Sequence, residues 1–158
     1  MKTTQSKAQN LLRALGELAG VLRAVPQGDG KPDLIIREPY RLTAVTRLKI
    51  AHNIRRLREI SETFQEANTA LLSQLSDGTM KIDADAEETP EAKAAAKERG
   101  KTYLKEINAL LKAEIEVEIQ PITMVELVRD DEVDKQSRKL PPNPIDPGVL
   151  ATLLDIAQ

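Results

Sequence analysis

The sequence predicts a mainly α protein. We expect an antiparallel helical hairpin or three-helix bundle, with a small two-stranded β element and a proline-rich C-terminal arm that ends in a short helix. Three observations predict this. Apolar residues recur at helical spacing over three long stretches. One run, Glu114-Ile115-Glu116-Val117-Glu118-Ile119, alternates strictly and reads as a strand. Four prolines fall within residues 141–147, which makes that stretch stiff and extended. The implied division is a helical bundle with its β element over 1–139, and a proline arm with a docking helix over 140–158.

The first helix is expected over 7–24 with Ser6 as N-cap. Leu11, Leu12, Leu15, Leu18, Ala19 and Leu22 give it one apolar stripe. Pro26 and the Gly28-Asp29-Gly30 turn stop it. Leu34-Ile35-Ile36, between Pro32 and Pro39, is a short extended segment that the prolines confine to a sheet edge or a strapped loop. The second helix is expected over 40–75, a spine roughly 54 Å long at 1.5 Å per residue. Ile50, Ile54, Leu57, Phe64, Leu71 and Leu75 form its seam, interrupted by Ser61 and Asn68. Val45 and Leu48 fall on its other side, among Arg41, Lys49, Arg55 and Arg56.

Ser76-Asp77-Gly78 closes the spine, and an acidic loop follows over 79–90. Thr89 and Pro90 then start a third helix as N-cap and first-turn proline, with Glu91 behind them. It runs to about Ala113. Its first half is weakly apolar and expected to be solvated; Tyr103, Leu104, Ile107, Leu110 and Leu111 equip its second half to pack on the spine. The strand over 115–119 needs a partner for its backbone groups, and 33–37 is the expected one. Thr123 with Glu126 forms a capping-box pattern for a short helical turn. Asp146 and Pro147 start the last helix, to which Leu150, Leu153, Leu154 and Ile156 give an apolar face.

Composition narrows the function classes. Hydrophobic residues are 41% of 158, but aromatics are only 2%, so the core is built from Leu, Ile, Val and Ala. Without cysteine there is no disulfide, thiolate metal site or cysteine nucleophile. No run of 18 apolar residues exists to span a membrane. Arg13 and Glu17 break the apolar stretch of the N-terminus, which argues against a signal peptide.

Charge is lopsided along the chain. Through Arg58 there are twelve Lys and Arg against four Asp and Glu, a net of +8; from Glu59 onward, eleven against twenty-one, a net of −10. Such an asymmetry can mark a nucleic-acid surface or an acidic tail; the expected reading is mutual attraction of the two halves, within one chain or between copies.

The chemistry-bearing motifs are missing. No phosphate-binding glycine loop, dinucleotide fingerprint, zinc-protease helix or nucleophile elbow is present. His52 is the single histidine, placed mid-helix, and reads as a solvated or hydrogen-bonded helix residue. The acidic loop lacks the glycine and glutamate spacing of a calcium loop. The Glu114, Glu116, Glu118 row reads as a solvated or charge-paired strand face, with Lys31 or Arg37 as partner. No catalytic residue, metal or cofactor is expected. The basic face of helix 2 lacks the interleaved aromatics of a nucleic-acid surface. It also carries bare Val45 and Leu48, so a protein partner with acidic and apolar features fits it better. The expected interface residues are Arg41, Val45, Leu48, Arg55, Arg56, Leu150, Leu153 and Leu154.

The order of features resembles a family of small, uncharacterised proteins of tailed bacteriophages and prophages. The resemblance rests on the tyrosine-led helix YRLTAVTRLKIAHNIRRLREISETFQEANTALL, on YLKEINALLKAEIEVEIQPITMVEL over 103–127, and on the closing GVLATLLDIA. It implies a phage gene product, located in the virion or in the cytoplasm of the infected bacterium. It implies no activity and transfers no functional residue. The expected function is that of a non-enzymatic virion structural or assembly component. Its expected partners are other phage structural proteins or further copies of itself, with no membrane partner. The alternative is a phage effector that binds a host protein or nucleic acid.

Overall fold

A computed structural model describes residues 1–25, 34–76, 82, 85, 89–129 and 132–154; for residues 21–23 it describes the backbone alone. The elements in order are β1 (Lys2–Thr4), α1 (Gln5–Glu17), β2 (Val21–Val25), β3 (Leu34–Glu38), α2 (Ala44–Leu75), α3 (Pro90–Lys112), β4 (Glu114–Glu116), α4 (Met124–Val128) and α5 (Pro147–Leu153). The fold is mainly α with a small β component, which among the described residues takes the form of two two-stranded antiparallel sheets, β1–β4 and β2–β3. The chain divides into two compact units, Met1–Ala8 with Arg58–Val117, and Gln9–Leu57 with Glu118–Gln158.

In the first unit, β1 pairs with β4 so that Lys2 faces Glu116, Thr3 faces Ile115 and Thr4 faces Glu114. The Met1 ammonium donates to the Val117 carbonyl at 2.7 Å, and the Val117 amide donates back to the Met1 carbonyl at 2.9 Å. Gln5 donates its backbone amide to Ala113 and its side-chain amide to the Ile60 carbonyl. The Tyr103 hydroxyl donates to Asn68 Oδ1 at 2.8 Å. Ile60 and Ala113 thus share one end and Asn68 and Tyr103 lie further along, so α3 runs antiparallel to the C-terminal part of α2. Thr89 caps α3 by accepting from the Ala92 amide, with Pro90 in the first turn, as the sequence predicts.

The second unit holds the larger core. Leu11, Leu15, Leu57, Ile122, Leu127 and Leu153 are almost wholly buried. Thr43 caps α2 by accepting from the Thr46 amide. Along α2, Thr46, Ile50, Asn53 and Leu57 form the buried row, three or four residues apart. The Thr123–Glu126 capping box is complete, and Asp146 caps α5 by accepting from the Gly148 and Val149 amides. Residues 140–146 pack against this unit through Asn143. Its side-chain amide donates to the Arg41 and Leu127 carbonyls, its Oδ1 accepts from the Arg41 amide at 3.0 Å, and its own amide donates to Val128.

Several expectations are corrected. Helix 1 does not run over 7–24. It begins at Gln5, where Thr4 rather than Ser6 accepts the first-turn bond, from Lys7. It ends at Glu17, and 21–25 form a strand. Gly20 makes the break: its φ of +138° is open to glycine, and a Cβ there would collide with the Glu38 carbonyl and Pro39. Helix 2 starts at Ala44, not Tyr40.

Strand pairing also differs. The 34–36 segment pairs with 21–25, not with 115–119. The alternating run pairs over Glu114–Glu116 with residues 2–4, continued by the Val117–Met1 bonds, and Glu118 and Ile119 join no strand. The 34–36 segment pairs with nearby chain, at less loop-closure cost than a partner at 115–119 would carry, whereas the partner of β4 lies more than a hundred residues away in sequence. In consequence Glu116 faces Lys2, not Arg37; Lys31 lies outside the described residues. On α3 the single buried residue is Ala96, in the half expected to be solvated, whereas Leu104 is exposed.

Candidate protein interface

The buried row of α2 fixes what its opposite side shows. With Thr46, Ile50, Asn53 and Leu57 turned inward, Val45, Leu48 and Arg55 project to the other side of the cylinder. Val45 is 61% exposed and Leu48 71%. Arg55, about two turns beyond Leu48, is exposed as well. Neither aliphatic residue is covered by α1.

The remaining expected interface residues separate into different roles. Arg41 precedes α2 and does not share its face. Its guanidinium lies 3.4 Å from Glu132 and donates to the Pro141 carbonyl, so it straps the proline segment. Arg56 pairs with Glu118 at 3.8 Å. Lys49 holds Glu126 at 2.8 Å. All three contacts join the basic N-terminal part of the chain to its acidic C-terminal part, within the second unit. The predicted attraction between halves is present here as intramolecular pairing. On α5, Leu153 is fully buried, Leu150 is half-buried and Leu154 is 51% exposed. Val45, Leu48, Arg55 and Leu154 are the members of the expected set left at the surface. Ile156 falls outside the described residues.

Lys49 and the Thr123 backbone amide donate to Glu126, and these bonds hold its carboxyl below the usual range. Burial, with Glu17 and Asp146 nearby, pushes the Tyr40 phenol up. A cleft of about 250 Å³ lies between α1 and α2, lined by Leu15, Leu18, Tyr40, Leu42, Ile50 and Ile54 among others. Its walls are mostly aliphatic and carry no nucleophile–base pair. His52 is half-buried on α2, and its Nε2 has no hydrogen-bond partner among the described residues. Among the described residues no group of three His, Cys, Asp or Glu is placed to hold a metal ion, and no helix is long and apolar enough to cross a membrane.

Two polar residues that organise this unit escaped sequence reasoning, Asn53 and Asn143. For Asn53 a signal exists: it sits between Ile50 and Leu57 on the apolar row, where a polar side chain needs a buried partner. For Asn143, set between prolines, the sequence offers no comparable signal. Comparison with protein-family models, curated proteins and solved structures finds no match.

Proposed function

We propose that this chain is a non-enzymatic interaction protein, a structural or assembly component of a bacteriophage. It docks a partner of acidic and apolar character on the outward side of α2. The observation that carries the docking surface is the exposure of Val45 and Leu48 opposite the buried row of the same helix. Leaving each largely in water forgoes up to roughly 1.5–3 kcal/mol of burial, and Arg55, exposed about two turns further along the helix, favours an acidic partner. The partner is another component of the particle or a further copy of this chain. The phage setting rests on the order of sequence features that resembles small tailed-phage proteins. It places the chain in the virion or in the cytoplasm of the infected bacterium.

The test is the double substitution Val45→Glu with Leu48→Glu, followed by mass spectrometry of purified particles. Wild-type chain is expected at a fixed copy number in the particle. The double variant is expected to fold and to be depleted from it. Undiminished incorporation of the folded variant removes this side of α2 as the docking surface. Absence of wild-type chain from particles removes the structural role.

A further inference from the structure

We propose that the cleft between α1 and α2 binds a medium-chain aliphatic carboxylate, with its hydrocarbon chain between the aliphatic walls and its carboxylate on the guanidinium of Arg47. The cleft lies wholly within the second unit. The proposal does not depend on the outward side of α2. Ile50, Ile54, Arg47 and Ala51 line the cleft and span about 100° around the helix, and Val45 and Leu48 lie beyond that sector.

The cleft is concave, apolar and sized for a small ligand. Leu15 and Leu18 of α1 and Ile50 and Ile54 of α2 border a volume of about 250 Å³. An apolar cavity of about 150 Å³ takes up benzene, so this one admits roughly ten heavy atoms, the size of octanoate. Gly16, in the last turn of α1, also lines the cleft, and a Cβ there would meet nothing within 4 Å. That wall is therefore left open by the missing side chain.

Arg47 supplies the charge that selects a carboxylate. It lines the cleft, and its Nε and Nη2 donate to the Leu42 and Tyr40 carbonyls, each at 3.2 Å. These bonds use one edge of the guanidinium and hold it in place. The edge formed by Nη1 and Nη2 keeps its parallel N–H donors, the fork that matches a carboxylate. Arg41, Lys49 and Arg56 each meet a glutamate of the acidic part of the chain, whereas among the described residues no carboxylate pairs with Arg47. The walls offer little to a second polar group, which favours a plain hydrocarbon chain over a peptide terminus. The Leu15 and Gly16 carbonyls already accept from the Leu18 and Ala19 amides, and Arg47 occupies the Tyr40 and Leu42 carbonyls. A peptide would carry its last amide into these walls at a desolvation cost.

The probe is octanoate, titrated below its micelle concentration into the full chain by isothermal calorimetry. Saturable binding at one site is expected. Octanol and octylamine, which lack the carboxylate, are expected to bind at least about ten-fold more weakly, and N-acetyl-leucine, which adds the amide of a peptide terminus, more weakly than octanoate too. Arg47→Met keeps an apolar stem and removes the charge. It is expected to weaken octanoate about ten-fold and to leave octanol unchanged, a difference that collapse of the cleft would not produce. Gly16→Leu and Ala51→Leu narrow the cleft from its two helices. With unchanged circular dichroism, they are expected to weaken both ligands. No octanoate binding by the wild type, or octanol as tight as octanoate, overturns the proposal. So does octanoate binding that neither narrowing variant alters. Equal loss of octanol and octanoate in Arg47→Met makes that residue a brace for Tyr40 and Leu42 alone and overturns it. N-acetyl-leucine as tight as octanoate assigns the cleft to a peptide terminus, and octanoate affinity that falls as protein concentration rises assigns it to a second copy; either result overturns the proposal as well.

Discussion

Asn53 and Gln120 are joined by a reciprocal pair of hydrogen bonds. The Asn53 side-chain amide donates to the Gln120 carbonyl at 2.9 Å, and the Gln120 backbone amide donates to Asn53 Oδ1 at 2.8 Å. A side-chain amide here does what a neighbouring strand does elsewhere: it satisfies both backbone groups of one residue. Beyond Val117 the segment that follows β4 belongs to no strand, and this pair ties it to the middle of α2. Asn53 is wholly buried, and its neighbours on the row are Ile50 and Leu57.

Asn53→Ala removes both partners at once. Each buried polar group left unpaired costs about 1–3 kcal/mol, so we expect a loss of about 2–4 kcal/mol in urea unfolding. Asn53→Asp keeps an acceptor for the Gln120 amide but turns a carboxylate toward the Gln120 carbonyl, and is expected to be no more stable than the alanine variant. If Asn53→Ala unfolds at the wild-type midpoint, the pair does not hold this segment.

The two glycines flanking the end of α1 should respond in opposite directions to alanine. Gly16 lies in the last turn of the helix with nothing within 4 Å of a Cβ, so Gly16→Ala is expected to stabilise by about 0.5–1 kcal/mol. Gly20 combines a positive φ with backbone packed against its Cα. Gly20→Ala is expected to destabilise by more than about 1 kcal/mol and to weaken amide protection in β2 and β3. Thermal melts give the two signs, and hydrogen exchange locates the second effect.

Elements whose signals are local were legible in the sequence. The caps at Thr89, Thr123 and Asp146 and the helical repeat through Ile50 and Leu57 each depend on residues within one or two turns, and the structure places them as expected. Pairing choices were not legible. Val21–Val25 carries an apolar repeat compatible with the end of a helix, and the decision fell to Gly20, whose close approach to Glu38 exists only once the ribbon has formed. The arginines were seen as a cluster because spacing counts charges on a cylinder. Arg41 left that cylinder, and Glu118 and Glu126 reached Arg56 and Lys49 from more than sixty residues away. Asn143 was invisible for the same reason, since its partners at Arg41 and Leu127 are long-range.

Acid sensitivity should report on Glu126. Its carboxyl is held below the ordinary value of 4.5 by the bonds from Lys49 and the Thr123 amide. A group with a depressed folded pKa contributes stability that is fully present above its unfolded value. That contribution is lost as pH falls through the folded value. Stability is therefore expected to decline from just above pH 4.5 downward. Glu126→Gln retains a capping-box residue at the third helical position but cannot titrate. It should be less stable than wild type at pH 7 and show a flatter acid limb, with the two curves converging at low pH. Parallel curves from pH 7 to pH 3 count against the Lys49–Glu126 contribution.

Leu153 and Leu154 are adjacent, share one side-chain chemistry and were expected on one interface, yet the structure gives them opposite roles. Leu153 is fully buried and Leu154 is 51% exposed. Asp146 sets this division: by capping the Gly148 and Val149 amides it fixes where α5 begins and hence which side faces inward. Leu153→Ala opens a cavity in the core of the second unit and is expected to cost about 2–5 kcal/mol. Leu154→Ala is expected to fall within about 0.5 kcal/mol of wild type, and Asp146→Ala to cost about 1 kcal/mol through loss of the cap. Guanidinium unfolding of the three variants checks the order Leu153, Asp146, Leu154. Should Leu154→Ala prove as costly as Leu153→Ala, the rotation of α5 about its axis is wrong. If neither substitution matters, the helix does not pack on this unit, and the proline segment is a free arm after all.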